Sequence, residues 1–259
     1  MALQELYKIT AAILFSLPRL GRGRSTMKFL LRVALTLLWT MPSVSFAQQD
    51  YVGRFDIYNG FAYFDSPSAH LTERGYHLQA GVNATRWLSL GFDFSDVSGN
   101  VTLVPSLLKS SLVNQIGGQL ASLESAGVVP LGYQVAVGTA STTQTYAGGP
   151  QLEFRHFKAV TLFVHPSIGA IHETATPHPH DFFTTGLVQQ LATTGKIHDW
   201  EPFYGVGGGF DLNLIPHLGL RIQADYVHND LFTNILAAPR NTVRLSVGPT
   251  FHFGPGVTR

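Results

Sequence analysis

Apolar side chains recur at every second residue through most of this chain, and a period of two belongs to extended strands rather than helices. Phe55, Ile57, Phe61 and Tyr63 alternate with Asp56, Tyr58, Gly60 and Ala62. Tyr76, Leu78, Ala80 and Val82 alternate with His77, Gln79, Gly81 and Asn83, and Leu88, Leu90, Phe92 and Phe94 with Ser89, Gly91, Asp93 and Ser95. The pattern resumes at Tyr146, with Gly148, Pro150, Leu152 and Phe154 opposite Gly149, Gln151, Glu153 and Arg155. Leu162, Val164, Pro166, Ile168 and Ala170 then oppose Thr161, Phe163, His165, Ser167 and Gly169. Two runs flank Ile215-Pro216-His217, one through Tyr204, Val206, Phe210 and Leu212, the other through Leu220, Ile222, Ala224 and Tyr226. The last passes through Val243, Leu245, Val247, Phe251 and Phe253, making eight strands with one oily face each.

Alternation alone does not say which face meets water, because a soluble sandwich also alternates. The less apolar face decides. It carries Asp56, Asp93, Glu153, Arg155, Asp211, Arg221, Asp225 and Arg244 together with many of the chain's 26 glycines. In a sandwich those charges would be solvated and the glycines would have no purpose. In a small closed barrel the oily residues face lipid, and a crowded interior needs small residues beside paired charges. Composition agrees: 13% of residues are charged, against about 25% in soluble domains.

Connection lengths point the same way. Tight links lie near Thr85, His156 and Pro216, whereas the links at about 65–74, 97–144, 173–199 and 229–240 are longer. Alternating short and long links are those of a meandering outer-membrane barrel, which places the long loops outside the cell and both termini in the periplasm. Closure is required, since an open sheet edge in hydrocarbon would strand backbone N–H and C=O groups.

Residues 1–47 read as a leader rather than fold. From Met27 a short basic start runs into an apolar stretch and then Ser45-Phe46-Ala47, the layout of a secretory signal peptide cleaved after Ala47. Residues 1–26, with Lys8, Arg19, Arg22 and Arg24, read as sequence upstream of a true start at Met27. The run Phe29–Thr40 contains Arg32 and is shorter than the roughly 20 residues of a membrane helix, so a helical membrane protein is excluded. The leader holds six of the 17 basic residues and one of the 16 acidic ones. Residues 48–259, the expected barrel domain, are therefore net acidic, which removes the compositional case for a nucleic-acid partner. With no cysteine there is no disulfide framework and no Cys-based zinc site.

Over about residues 51–253 the sequence resembles the OmpA-like transmembrane barrel family of eight-stranded outer-membrane proteins. The resemblance is carried in order by Tyr58-Asn-Gly-Phe-Ala-Tyr-Phe64, Gly149-Pro-Gln-Leu-Glu153, Arg221-Ile-Gln-Ala-Asp225-Tyr226 and Val243-Arg-Leu-Ser-Val-Gly248. It implies outer-membrane lipid and the outer-membrane assembly machinery as partners, and a structural or surface-contact role. Family barrels often end on an aromatic residue that the assembly machinery reads, whereas Gly254–Arg259 follow Phe253 here. No peptidoglycan-binding segment follows within these residues, so a periplasmic tether is not implied.

Three groups of residues invite a functional reading. The eight inward charges could line a gated pore, but an eight-stranded barrel has room for little beyond its own side chains, so a salt-bridged plug is expected. Between Pro105 and Ser125, Leu108, Leu112, Ile116, Leu120 and Leu123 recur at helical spacing, and Gly117-Gly118 is expected to interrupt the helix. Its stripe could cover the barrel mouth, lie on the membrane or receive an apolar ligand; packing onto loop neighbours is the expected use. His172, His178 and His180, with Glu173 and Asp181, are residue types that hold zinc or copper, but Pro177 and Pro179 deny them a fixed spacing and no metal is expected. Catalysis is not expected either: the oily parity offers no Ser/His pair of the kind lipid A deacylases need, and there is no GxSxG context.

The expected molecule is an all-β, eight-stranded, antiparallel up-and-down transmembrane barrel with long extracellular loops, one of them helical. It is read as a monomer without cofactor in the outer membrane, acting structurally or through an unidentified surface ligand. The rival readings are a small-solute pore and an outer-membrane lipid-modifying enzyme.

Overall fold

The computed structural model describes residues 51–257. The expected leader and the Met27 start lie outside those residues. Eight strands form one closed sheet in chain order: β1 Gly53–Ser66, β2 Leu71–Asn83, β3 Leu88–Leu103, β4 Val137–Phe154, β5 Val160–His178, β6 Ile197–Ile215, β7 Leu218–Asn229 and β8 Arg240–Gly256. Every neighbouring pair is antiparallel, and β8 closes on β1 through pairs such as Phe55 with Phe253. The expected all-β, up-and-down barrel is the observed fold.

The strand parity is the one the alternation implies. On β3, Leu90 and Phe92 are 57% and 50% exposed on the outer wall, while Ser89, Asp93 and Ser95 are buried inside. Further along the same outer face come Asp96, Ser98 and Asn100, so the oily band is finite. Aromatic rings mark its upper edge, where Tyr76, Phe94, Tyr146 and Trp200 follow one another around the wall at centroid spacings of 5.8, 5.1 and 6.0 Å. Exposed Trp87 and Phe154 mark its lower edge.

In the strands, the β1–β2 link and the β3–β4 helix the structure departs from the sequence reading. First, the strands outrun the oily band: β4, β5 and β6 have 18, 19 and 19 residues, against roughly 9–11 for a bilayer crossing. The long connections accordingly shrink to 104–136, 179–196 and 230–239, because above the band both strand faces are polar and look like loop. Second, the link from β1 to β2 is not long. The ladder continues to the pair Ser66–Leu71, and Pro67–Ala69 forms a 3-10 turn closed by left-handed His70 at φ 51°. Third, the helix α1, Ser110–Ser125, passes through Gly117-Gly118 without a break. Both glycines face open space, and the opposite stripe is held by packing that outweighs a propensity loss of about 1 kcal/mol each.

The β5–β6 loop holds a second helix, α2 (Phe182–Leu191), which the sequence reading did not anticipate. Its start is fixed by a capping box: the Thr184 amide donates to Asp181 Oδ1 at 2.8 Å while Thr184 Oγ1 accepts from the Asp181 amide. Ile116 of α1 packs with Val135, Phe183 and Leu187, and Leu108, Leu120 and Leu123 join them. The oily stripe thus meets loop neighbours, the expected use. The β3–β4 and β7–β8 loops are also tied, the Lys109 amide donating to Ile235 O at 2.9 Å and the Ala237 amide to Leu107 O at 3.0 Å.

Candidate functional site: the barrel interior

The strands bring inward-facing side chains into tiers along the barrel. All eight charges expected inside, Asp56, Asp93, Glu153, Arg155, Asp211, Arg221, Asp225 and Arg244, are buried. Arg244 lies between two carboxylates, its Nε 2.7 Å from Asp225 Oδ2 and its Nη1 2.8 Å from Asp93 Oδ1. Arg221 forks onto Asp211 at 2.7 and 2.8 Å, donates to Gln79 Oε1 at 2.8 Å, and stacks over the Phe163 ring at 4.4 Å. Arg155 pairs with Glu153, which also accepts from Ser89 and Gln151. Asp56 accepts from Asn83 and meets His252 at 2.6 Å. Arg221 and Asp225 share a strand face but not a bond, because each reaches a partner on a neighbouring strand.

The network exceeds the eight charges read from the sequence. His77 joins Asp93 at 2.7 Å and His165 joins Asp225 at 3.1 Å, so the Arg244 tier holds two histidines as well as two carboxylates. Both histidines stand on the inward parity in the sequence, where a ring that is neutral until protonated gives no charge signal. Glu73, Glu173 and Arg240, linked through Ser141, form a further tier towards the long-loop end. In the sequence they fall within 65–74, 173–199 and 229–240, which read as loop, and Glu173 stands there only beside the histidines weighed as metal ligands.

Glycine supplies the room. A Cβ at Gly207 would overlap the Asp225 carboxylate and crowd His165. On the opposite wall Gly81, Gly91 and Gly149 lie side by side in register on β2, β3 and β4. Beneath them is a cavity of about 50 Å³ bordered by Asp56, Tyr58, Gln79, Asp93, His165 and Arg221. That is space for a few waters.

At the long-loop end the side of the interior formed by β4 to β7 is partly apolar. Inward Ala147, Ile171, Phe203 and Val227 pack against Leu107, Leu231, Phe232 and Leu236 from two loops. The remaining candidates do not converge. His172 lies on the outer wall of β5, stacked on Trp200 at 4.5 Å and parallel to His198 at 5.8 Å; His178 ends β5, and His180 is 3.1 Å from Asp181. Among the described residues no group of three or more His, Cys, Asp or Glu side chains could hold a metal ion.

No protein-family model matches this sequence, and no curated protein matches it. Solved structures do resemble the barrel. Ail, the attachment invasion locus protein of Yersinia pestis, is 12% identical with a TM-score of 0.43, the match covering 78% of this chain and 99% of that one. Neisserial surface protein A is 10% identical with a TM-score of 0.46 over 78% and 99% of the two chains. The outer membrane protein OprG from Pseudomonas aeruginosa is 12% identical with a TM-score of 0.42 over 80% and 99%. These are likenesses to outer-membrane barrels in overall fold.

Proposed function

We propose that this protein is an outer-membrane barrel with a closed interior, acting structurally or through contacts made by its outer cap. The supporting observation is the inside-out distribution of polarity: a finite oily band around the outer wall, and ion-paired charges in the space it encloses. Such a band is stable in hydrocarbon, and a closed ladder leaves no strand edge there. Lipid is then the first partner, the long loops face outward and the termini face the periplasm. The cap supports the contact role. Leu131 and Phe182 stand 87% and 82% exposed on it, while α1 and α2 pack against each other behind them. Catalysis has no support in the site, since the buried histidines are bonded to carboxylates inside the wall.

Two experiments test this reading. Fractionated cells should show the protein in the outer membrane as a band that migrates differently before and after boiling. Purified protein in planar bilayers should give no steady conductance, because the interior tiers are filled by bonded side chains. Reproducible channels whose ion selectivity reverses when Arg155 or Arg244 is made acidic would replace the plug by a pore.

A further inference from the structure

Among the described residues, every buried carboxylate except Glu73 has an arginine or histidine nitrogen within salt-bridge distance. Glu73 is 1% exposed, and its Oε2 has no hydrogen-bond partner. Its Oε1 is 2.8 Å from Thr143 Oγ1 and 2.9 Å from Ser141 Oγ, and the same Ser141 Oγ is 2.8 Å from Glu173 Oε1. Glu173 Oε2 in turn takes the guanidinium of Arg240.

The protons of this tier can be counted. A serine hydroxyl has one, so Ser141 can donate to one of the two carboxyl groups and must accept from the other. Glu173 is the anion, since Arg240 stabilises its charge. Ser141 therefore donates to Glu173, and Glu73 supplies the proton for the remaining contact. The unpartnered Oε2 agrees, because a bare buried oxygen costs less on a neutral acid than on a carboxylate. Oxygen separations of 2.8–2.9 Å are those of hydrogen bonds, and among the described residues no group of three or more His, Cys, Asp or Glu side chains could hold a metal ion here.

We propose that Glu73 is a proton-binding site at the outer end of the barrel, held as a neutral acid at neutral pH and donating to Ser141. The charged and titratable groups facing it are Glu173 from β5 and Arg240 from β8. The Asp93, His77, Arg244 and Asp225 tier begins two inward positions further along β2. Loss of the proton sets a second negative charge beside Glu173, with Arg240 to balance one. The outer ends of β2, β4, β5 and β8 meet at this tier, and the cap loops leave from β4, β5 and β8, so ionisation loosens the mounting of the cap. A group protonated in the folded state and ionised in the unfolded chain stabilises below the ordinary Glu value of about 4.3, and its contribution falls as the pH rises through the folded value.

The test uses the full chain refolded in detergent micelles. Infrared spectra at neutral pH should show the C=O stretch of a protonated carboxyl that Glu73→Gln removes. Above about pH 4.3 the wild-type unfolding constant should rise relative to that of Glu73→Gln, roughly tenfold for each unit by which the acid is raised. Should Glu73→Gln fail to fold, Glu173→Gln serves: Glu73 becomes the carboxylate partner of Arg240 and ionises, so the band disappears although Glu73 remains. No band in the wild type, a band that survives Glu73→Gln or, where that does not fold, Glu173→Gln, or parallel pH curves would each overturn the proposal.

Discussion

At the scale of single residues, the interior works by pairing, and each pair is costly to halve. Asp225→Asn leaves Arg244 with one of its two carboxylates in a buried site, and the expected loss is about 3 to 5 kcal/mol in urea unfolding. Replacing Arg244, Asp93 and Asp225 together by neutral residues should cost less than the single changes summed, because contacting residues are not additive. Additive losses would show that the tier is not one unit. The outer wall obeys the opposite rule. Leu90→Arg should weaken folding into bilayers by about 2 to 4 kcal/mol if that position lies near the midplane. A conservative swap at the inward neighbour Ser89 should cost on the order of 1 kcal/mol, the worth of its bond to Glu153. Equal tolerance at the two sites would remove the assignment of lipid-facing and inward faces.

At the scale of elements, the cap contains a titratable clamp that the strands do not supply. The Tyr133 hydroxyl donates to Asp181, the N-cap of α2. Burial and then this bond push the Tyr133 hydroxyl up to about 12. Burial opposes ionisation of Asp181, but the bonds from Tyr133 and Thr184, with His180 nearby, outweigh it and hold the carboxyl below its ordinary value of 3.8. The signs then differ. The Asp181 contribution is present above about pH 3.8 and fades as the pH falls through the lower folded value. The Tyr133 contribution is present below about pH 10 and is lost as the pH climbs towards about 12. The protection of the α2 amides against hydrogen exchange, taken relative to the intrinsic rate at each pH, should therefore be highest between these limits and fall beyond each. Asp181→Ala should abolish the acidic limb and cost about 0.5 to 2 kcal/mol of local stability. An unchanged acidic limb in that variant would assign it to another group.

At the scale of the whole molecule, the prediction is topological. The chain has no native cysteine, so single thiols report sidedness cleanly. On intact cells an impermeant thiol reagent should label Leu131→Cys, on the exposed tip of the β3–β4 loop, and spare Ala84→Cys in the turn between β2 and β3. The reverse pattern would invert the barrel in the membrane. A thiol at Ser141 is unsuitable: the sequence places that residue in a loop, but it is buried inside β4.

Strand parity, the number of strands and the order in which they pair can be read from the chain alone. The physical reason is that the period is local. A strand between lipid and a crowded interior needs one oily and one small or polar residue in turn, and residues such as Leu90 and Asp93 declare their faces without reference to any distant partner. Three things waited for the tertiary structure. Strand ends beyond the oily band, at Glu73, Glu173 and Arg240, have two polar faces, so no alternation marks them. Which ions pair is settled by register between strands, and for that reason Arg221 bonds Asp211 rather than Asp225 on its own strand face. The cap was decided last, because α2 and the unbroken α1 depend on each other's burial, through Ile116, Phe183 and Leu187, and that contact joins segments about 70 residues apart that no local pattern connects.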